Sequence, residues 1–148
     1  MRALLQRVTE ASVRVNGEVI GSIEAGLLVF VGVALGDTVN DVDHLVEKCR
    51  KLRIFTDEND KMNLSVEDIG GAVLCVSQFT LAADTAKGLR PSFSTAMPPE
   101  KAEKLYDRFV SRLREAGIKV ETGSFGADMK VSLLNDGPVT FLLESSGR

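Results

Sequence analysis

The chain has no tryptophan, one histidine, one tyrosine, two cysteines and four prolines in 148 residues, and each shortage closes a chemical route. A Ser-His-Asp triad needs a histidine held between a nucleophile and a carboxylate. The single histidine, His44, falls beside Leu45 in a stretch of helical periodicity, so a partly exposed helix position is expected for it. Cys49 and Cys75 are far apart and make no C-x-x-C spacing, which suggests neither a disulfide framework nor a zinc site. Clustered His and carboxylate ligands, a Gly-x-Ser-x-Gly elbow and a P-loop are all missing. No apolar run approaches the roughly 20 residues that cross a bilayer. The opening Met1-Arg2-Ala3-Leu4-Leu5-Gln6-Arg7 is interrupted too soon for a signal peptide. A cytoplasmic protein with no membrane partner, metal or organic cofactor is the expectation.

Positive charge is also short: 18 Lys and Arg stand against 21 Asp and Glu, a net charge of −3. General nucleic-acid binders carry a concentrated basic surface, so no DNA partner is expected. The cations do cluster locally, at Lys48, Arg50, Lys51 and Arg53, and again where Lys87 and Arg90 flank Gly88-Leu89. The first cluster reads as a solvated helix face.

What is present is a globular composition, 44% apolar and 26% charged, without repeats, linkers or low-complexity stretches. One domain spanning 1–148 follows, long enough to bury a substantial core. Alternation over 11–15, then Asn16-Gly17, then Val19-Ile20, predicts a β-hairpin with a tight turn. The apolar run 26–33 predicts a central strand buried on both faces. Apolar residues at Val42, Leu45, Val46, Cys49 and Leu52 predict a helix with acidic residues early and basic ones late. A polar turn is expected over 57–61, a buried strand over 72–79 and a loop over 81–98. Pro98-Pro99 opens a second helix with a stripe at Ala102, Leu105, Tyr106, Phe109, Val110 and Leu113, closed by Gly117. Strands follow at 118–121, 129–134 and 139–143, with a tight turn at Asn135-Asp136. The order of elements makes an α+β domain with a mixed or mostly antiparallel sheet.

Two polar motifs follow apolar runs and so sit where a sheet ends: Ser77-Gln78-Phe79-Thr80 and Asn135-Asp136-Gly137-Pro138-Val139-Thr140. Together they resemble the two signature motifs of the D-aminoacyl-tRNA deacylases, and the resemblance runs from Met1-Arg2-Ala3 to about Leu143. Arg90-Pro91-Ser92-Phe93 is similar to a further segment of that family, with Leu89 where many members carry a second Arg. Gly123-Ser124-Phe125-Gly126-Ala127-Asp128-Met129 resembles the segment lining its adenosine pocket. The resemblance implies a curled, barrel-like sheet with two packed helices, assembled as a homodimer whose active site crosses the subunits. It implies hydrolysis of the ester in D-aminoacyl-tRNA, and of mischarged glycyl-tRNA, with the acceptor end of the tRNA as partner. It also implies a cis Gly137-Pro138 bond that reaches into the partner subunit and excludes the substituent of an L-amino acid by steric contact at Cα.

The chemistry suits a chain without a catalytic histidine. An aminoacyl ester is reactive, and the neighbouring ribose hydroxyl can assist proton transfer. The protein then needs only to hold the ester and stabilise the oxyanion, for which one placed donor contributes roughly 2.7–4 kcal/mol. Thr80, and after it Ser77, are the available nucleophiles, but neither has an evident base. Thr80 is read as orienting substrate or water, with covalent attack and a merely structural strand-end role as its alternatives. Gln78 is a candidate to hold the adenosine or the carbonyl. Phe79 is read as supporting the pocket and offering its backbone N–H as an oxyanion donor. Phe125 and Met129 are candidates to contact the base or are ordinary core, and Arg90 is a candidate substrate contact. Two rivals keep the same fold. One is an editing domain for an L-aminoacyl-tRNA, as in archaeal threonyl-tRNA synthetases, and the other is a non-catalytic RNA- or protein-binding module.

Overall fold

The computed structural model describes residues 1–145. Its spine is β1 (Arg2–Val15). One edge of β1 pairs antiparallel along its length with β8 (Lys130–Glu144). The other edge pairs first with β3 (Gly26–Gly32), then with β2 (Glu18–Ile23). Beyond β3 the sheet continues in parallel through β6 (Ala72–Ser77) and β7 (Lys119–Thr122). The β1–β2 connection is the expected hairpin, with Asn16 and Gly17 at φ 51° and 79°, the left-handed pair that a two-residue turn demands. Gly21 lets β2 fold back onto the far side of the sheet: a Cβ there would lie 2.6 Å from the Thr122 carbonyl oxygen. The sheet is thereby curled nearly closed.

One irregularity lets β1 serve two cores. Val8 pairs with Asn135 and Glu10 with Leu134, so Thr9 is an extra residue, a β-bulge that reverses which side chains face in. Before it, Ala3 and Leu5 pack under the helices with Val29, Val73 and Phe109. Around and after it, Val8, Ala11 and Val13 fill the inside of the curl with Ile23, Leu28 and Leu74. β3 is buried on both faces as its unbroken apolar run requires, sending Val29 to one core and Leu28 to the other.

Both helices lie on the outer face of the sheet. α1 (Val39–Lys51) starts at Thr38, whose side chain accepts from the Asn40 N–H while the Asp41 carboxylate accepts from the Thr38 N–H, a reciprocal cap that satisfies orphan donors. That backbone hydrogen bond holds the Asp41 carboxyl below the usual range. α2 (Pro99–Glu115) opens on proline and stops before Gly117 at φ 90°. Arg108 donates two hydrogen bonds to Asp43, of 3.0 and 2.9 Å, tying α2 to α1 and lowering the Asp43 carboxyl. The Lys48–Arg53 cluster is partly neutralised: Arg50 pairs with Glu67 and Glu47, and Lys51 with Glu47. His44 is exposed on α1. Neither described helix is long and apolar enough to cross a membrane.

The expected α+β architecture forms, with four differences of detail. β1 begins at Arg2, since its first half carries no clean alternation. The polar turn at 57–61 joins two short strands, β4 (Phe55–Thr56) and β5 (Met62–Leu64). The buried strand expected over 72–79 stops at Ser77. The strands expected at 129–134 and 139–143, with a tight turn between them, are one strand, β8, because β1 is long enough to template both halves.

Candidate active site

Beyond β6 the chain makes one last sheet-like bond, from the Gln78 N–H to the Val31 carbonyl at 2.7 Å. It then winds into a 3-10 turn (Phe79–Ala82). The first motif is therefore not wholly on a strand: Ser77 ends β6, and Phe79 and Thr80 open the turn. Glycine at position 32 makes the wind possible, because a Cβ there would lie 2.7 Å from the Leu81 Cβ and 2.9 Å from the Gln78 carbonyl oxygen. Two side chains from elsewhere hold the turn's far end. Arg2 Nη1 donates to the Leu81 carbonyl at 2.8 Å, and Thr95 Oγ1 donates to the Ala82 carbonyl at 2.6 Å. The opening N–H groups of such a turn have no carbonyl within it to bond, which leaves those of Phe79 and Thr80 as available donors. Gln78 Nε2 donates to Thr80 Oγ1.

Beside this turn lies a cavity of about 600 Å³, bounded by the end of β6, the start of α2 and the segment before β8. Ser77, Gln78, Phe79, Phe93, Phe125 and Met129 line it. Phe79 is 55% exposed, and its ring meets Phe93 edge-on at 5.1 Å between centroids. Phe125 lies 6.1 Å from Tyr106, and Met129 packs against the core inside the curl; both therefore touch cavity and core together. The wall is mostly apolar, with the Gln78 amide and Ser77 hydroxyl at one end and the Asp128 carboxylate, paired with Lys130, on the segment before β8, the usual build of a site that takes a flat organic group. Neither thiol offers a nucleophile at neutral pH: burial pushes Cys49 up to about 12 and raises Cys75 as well. Among the described residues, no three His, Cys, Asp or Glu side chains come together as a metal would require.

The second motif lies elsewhere in the chain. Gln6 pairs with Thr140 and Val8 with Asn135, so residues 136–139 bulge out of β8 opposite Arg7. The Gly137-Pro138 peptide bond within the bulge is cis. Arg7, whose side chain is 11% exposed, anchors it: Nε donates to the Asp136 carbonyl at 2.9 Å and Nη1 to the Ile54 carbonyl at 2.9 Å. Asn135 Nδ2 donates to the carbonyls of Arg7 and Val139 at 2.9 and 3.2 Å. Gln6 Nε2 donates to Thr140 Oγ1 at 3.2 Å. Gly137 and Pro138 are exposed.

The sequence model of the D-Tyr-tRNA(Tyr) deacylase family matches residues 4–144. The chain belongs to that family. A D-aminoacyl-tRNA deacylase of Thermotoga petrophila is 60% identical over 99% of this chain and 98% of its own length. One from Geobacter metallireducens is 59% identical over 98% and 96%. Among solved structures, one described as c-Myc DNA Unwinding Element Binding Protein superposes with a TM-score of 0.94 at 46% identity, covering 99% of this chain and all of that one. A probable eukaryotic D-amino acid tRNA deacylase shares the fold, with a TM-score of 0.82 at 21% identity over 97% of this chain and 98% of its own. The activity of this deacylase is accordingly that of a D-aminoacyl-tRNA hydrolase.

Within this deacylase the fold gathers Ser77, Gln78, Phe79, Phe125 and Met129 around one cavity, while Thr80 is exposed in the adjoining turn and is not part of its lining. Arg90 stands off on the exposed 84–92 loop, and Gly137 and Pro138 do not line the cavity of their own chain. Sequence reasoning missed the residues that hold the parts in place: Arg7 and Gln6 under the bulge, and Gly32, Arg2 and Thr95 around the turn. Phe93 was within reach, lying in the Arg90-Pro91-Ser92-Phe93 segment.

Proposed function

We propose that the cavity receives the terminal adenosine and acyl ester of D-aminoacyl-tRNA, and that Gly137 and Pro138 of a second copy close it as a chirality filter. The observation that carries this reading is the turn at Phe79 and Thr80, whose opening N–H groups have no carbonyl within it to bond. The turn adjoins a cavity with a largely apolar wall, its one carboxylate, Asp128, being held by Lys130. Attack by water on the ester carbonyl moves negative charge onto its oxygen, and those two N–H groups are the donors to receive it. Gln78 orients the Thr80 hydroxyl, and Thr80 positions substrate or water in place of forming a covalent intermediate, since no base stands beside it. The ribose hydroxyl next to the ester assists the proton transfer. Phe125 and Met129 hold the base. A filter acting at Cα ignores side-chain identity, so many D-amino acids pass, and glycine as well.

The homodimer is supported by β8. This strand forms a free sheet edge and exposes Leu134, Phe141 and Leu142, a liability for a lone chain and a suitable face for a second copy. The anchored bulge 136–139 projects from that same strand. The work is placed in the cytoplasm, where aminoacyl-tRNA is made and used. The likeness to a protein named for DNA binding brings forward a second reading, binding without turnover, which the net charge of −3 disfavours.

Deacylation of matched D- and L-tyrosyl-tRNA by sub-stoichiometric protein, with a chelator present, tests the reading. Rapid loss of the D-ester alone supports it. Survival of both esters refutes it and leaves the binding module.

A further inference from the structure

We propose that the tip Lys87-Gly88-Leu89-Arg90 is the contact for the acceptor stem of the tRNA, distinct from the cavity that takes the terminal nucleotide; this rests on the deacylase reading. The loop is built as a short arm. Its neck is closed by paired backbone bonds between Asp84 and Ser92, both 2.8 Å, and the Asp84 carboxylate accepts from the Ala86 N–H at 2.9 Å. Gly88 turns the tip at φ 66°. The foot of the arm is fixed to the wall of the site: Phe93 packs on Phe79, and Thr95 holds the Ala82 carbonyl. The foot of the arm is thus part of the cavity wall, through Phe93.

What the tip offers is specific in its chemistry. Leu89 is wholly exposed, which costs solvation unless something covers it in the working state. On either side of it, Lys87 and Arg90 make no ion pair among the described residues, in contrast to Arg2, Arg7, Arg50 and Arg108. An apolar side chain between two free cations matches the end of an RNA duplex, with a flat face on the terminal base pair and phosphates on both strands. In a chain of net charge −3, attraction to phosphate has to be local, and these two cations lie on the arm beside the cavity. A few unpaired nucleotides separate the end of the stem from the aminoacyl ester, so one substrate spans tip and cavity.

The test compares D-tyrosyl-tRNA with 3′-O-D-tyrosyl-adenosine, which has the ester but no stem. For K87A/R90A, kcat/KM on the tRNA is expected to fall on the order of tenfold, and its log–log dependence on salt to lose about 1.4–1.8 units, at about 0.7–0.9 per phosphate contact. The ratio of kcat/KM on tRNA to that on the adenosine ester falls by the same tenfold. L89A lowers that ratio without changing the salt slope, and K87E/R90E lowers it further than K87A/R90A. Equal losses on both substrates, or full activity on tRNA with an unchanged slope, overturn the assignment. A wild-type protein that consumes neither ester overturns the deacylase reading itself, and the stem contact with it.

Discussion

Replacing Gly32 by alanine isolates the geometry of the turn at Phe79. Gly32 is not at positive φ, so alanine meets no backbone strain; the whole effect is the added methyl. That methyl would sit 2.7 Å from Leu81 Cβ and 2.9 Å from the Gln78 carbonyl oxygen, against an ordinary separation of about 3.5–4.0 Å. Relief requires the turn to retreat by about 0.8 Å, because one of the opposing atoms is backbone and the other is the root of a side chain. A displacement near 1 Å at a reacting centre costs on the order of 100-fold in rate. Overpacking itself costs about 1–3 kcal/mol. Single-turnover deacylation of D-tyrosyl-tRNA by G32A should slow about 100-fold, while thermal melting shows a folded protein. I118V supplies the comparison: it removes a methylene buried beneath α2, costs about 0.5–1.5 kcal/mol and leaves the rate alone. A folded G32A with a rate within twofold of wild type would refute the claim that this turn places the reacting groups.

The remaining predictions concern the anchor, the cap and the free face. R7Q removes the charged bonds to the Asp136 and Ile54 carbonyls, each worth about 1.5–3 kcal/mol; the urea midpoint should drop, and the ratio of D- to L-tyrosyl-tRNA hydrolysis should fall, whereas an unchanged ratio would separate Arg7 from selectivity. T38A should cost about 1 kcal/mol through the lost cap of α1. The carboxyls of Asp41, held by the Thr38 N–H, and Asp43, held by Arg108, lie below their usual range. Their contribution is therefore complete above the unfolded value of about 3.9 and lost as pH falls through the lower folded values. Urea unfolding from pH 5 down to pH 2 should show this decline, and D41N should flatten it. L134E/L142E should give a monomer by sedimentation with little deacylase activity; a fully active monomer would remove the second copy from the site.

Local chemistry made much of this fold legible. Asn16-Gly17 announced a hairpin because few residues tolerate two left-handed positions; the first helix declared itself by its stripe and charge placement, the second by its stripe, its opening prolines and Gly117. The first polar motif was legible as a strand-end signal, whereas the second, expected at the end of a strand, lies inside β8 as a bulge. The bulge at Thr9 was not, because a reversal of facing leaves a muddled pattern where alternation should be. Nor were the supports of the site. Arg7 meets Asp136 across 129 positions of chain, and Arg2 meets Leu81 across 79. Nothing in the neighbourhood of an early arginine states which distant carbonyl it will hold. The 3-10 turn escaped for a similar reason: it exists because Gly32, on another strand, leaves room for it.

The extra residue at Thr9 makes β1 a shared wall, with one core leaning on its first half and the other on its second. Drawing Thr9 into a regular ladder, with no residue removed, would turn Ala11 and Val13 to the opposite face. Neither core can then be repaired without surrendering the other. The helices and the curl are in this way bound to one another through a strand that neither can do without, and they should open and close together as a single cooperative body.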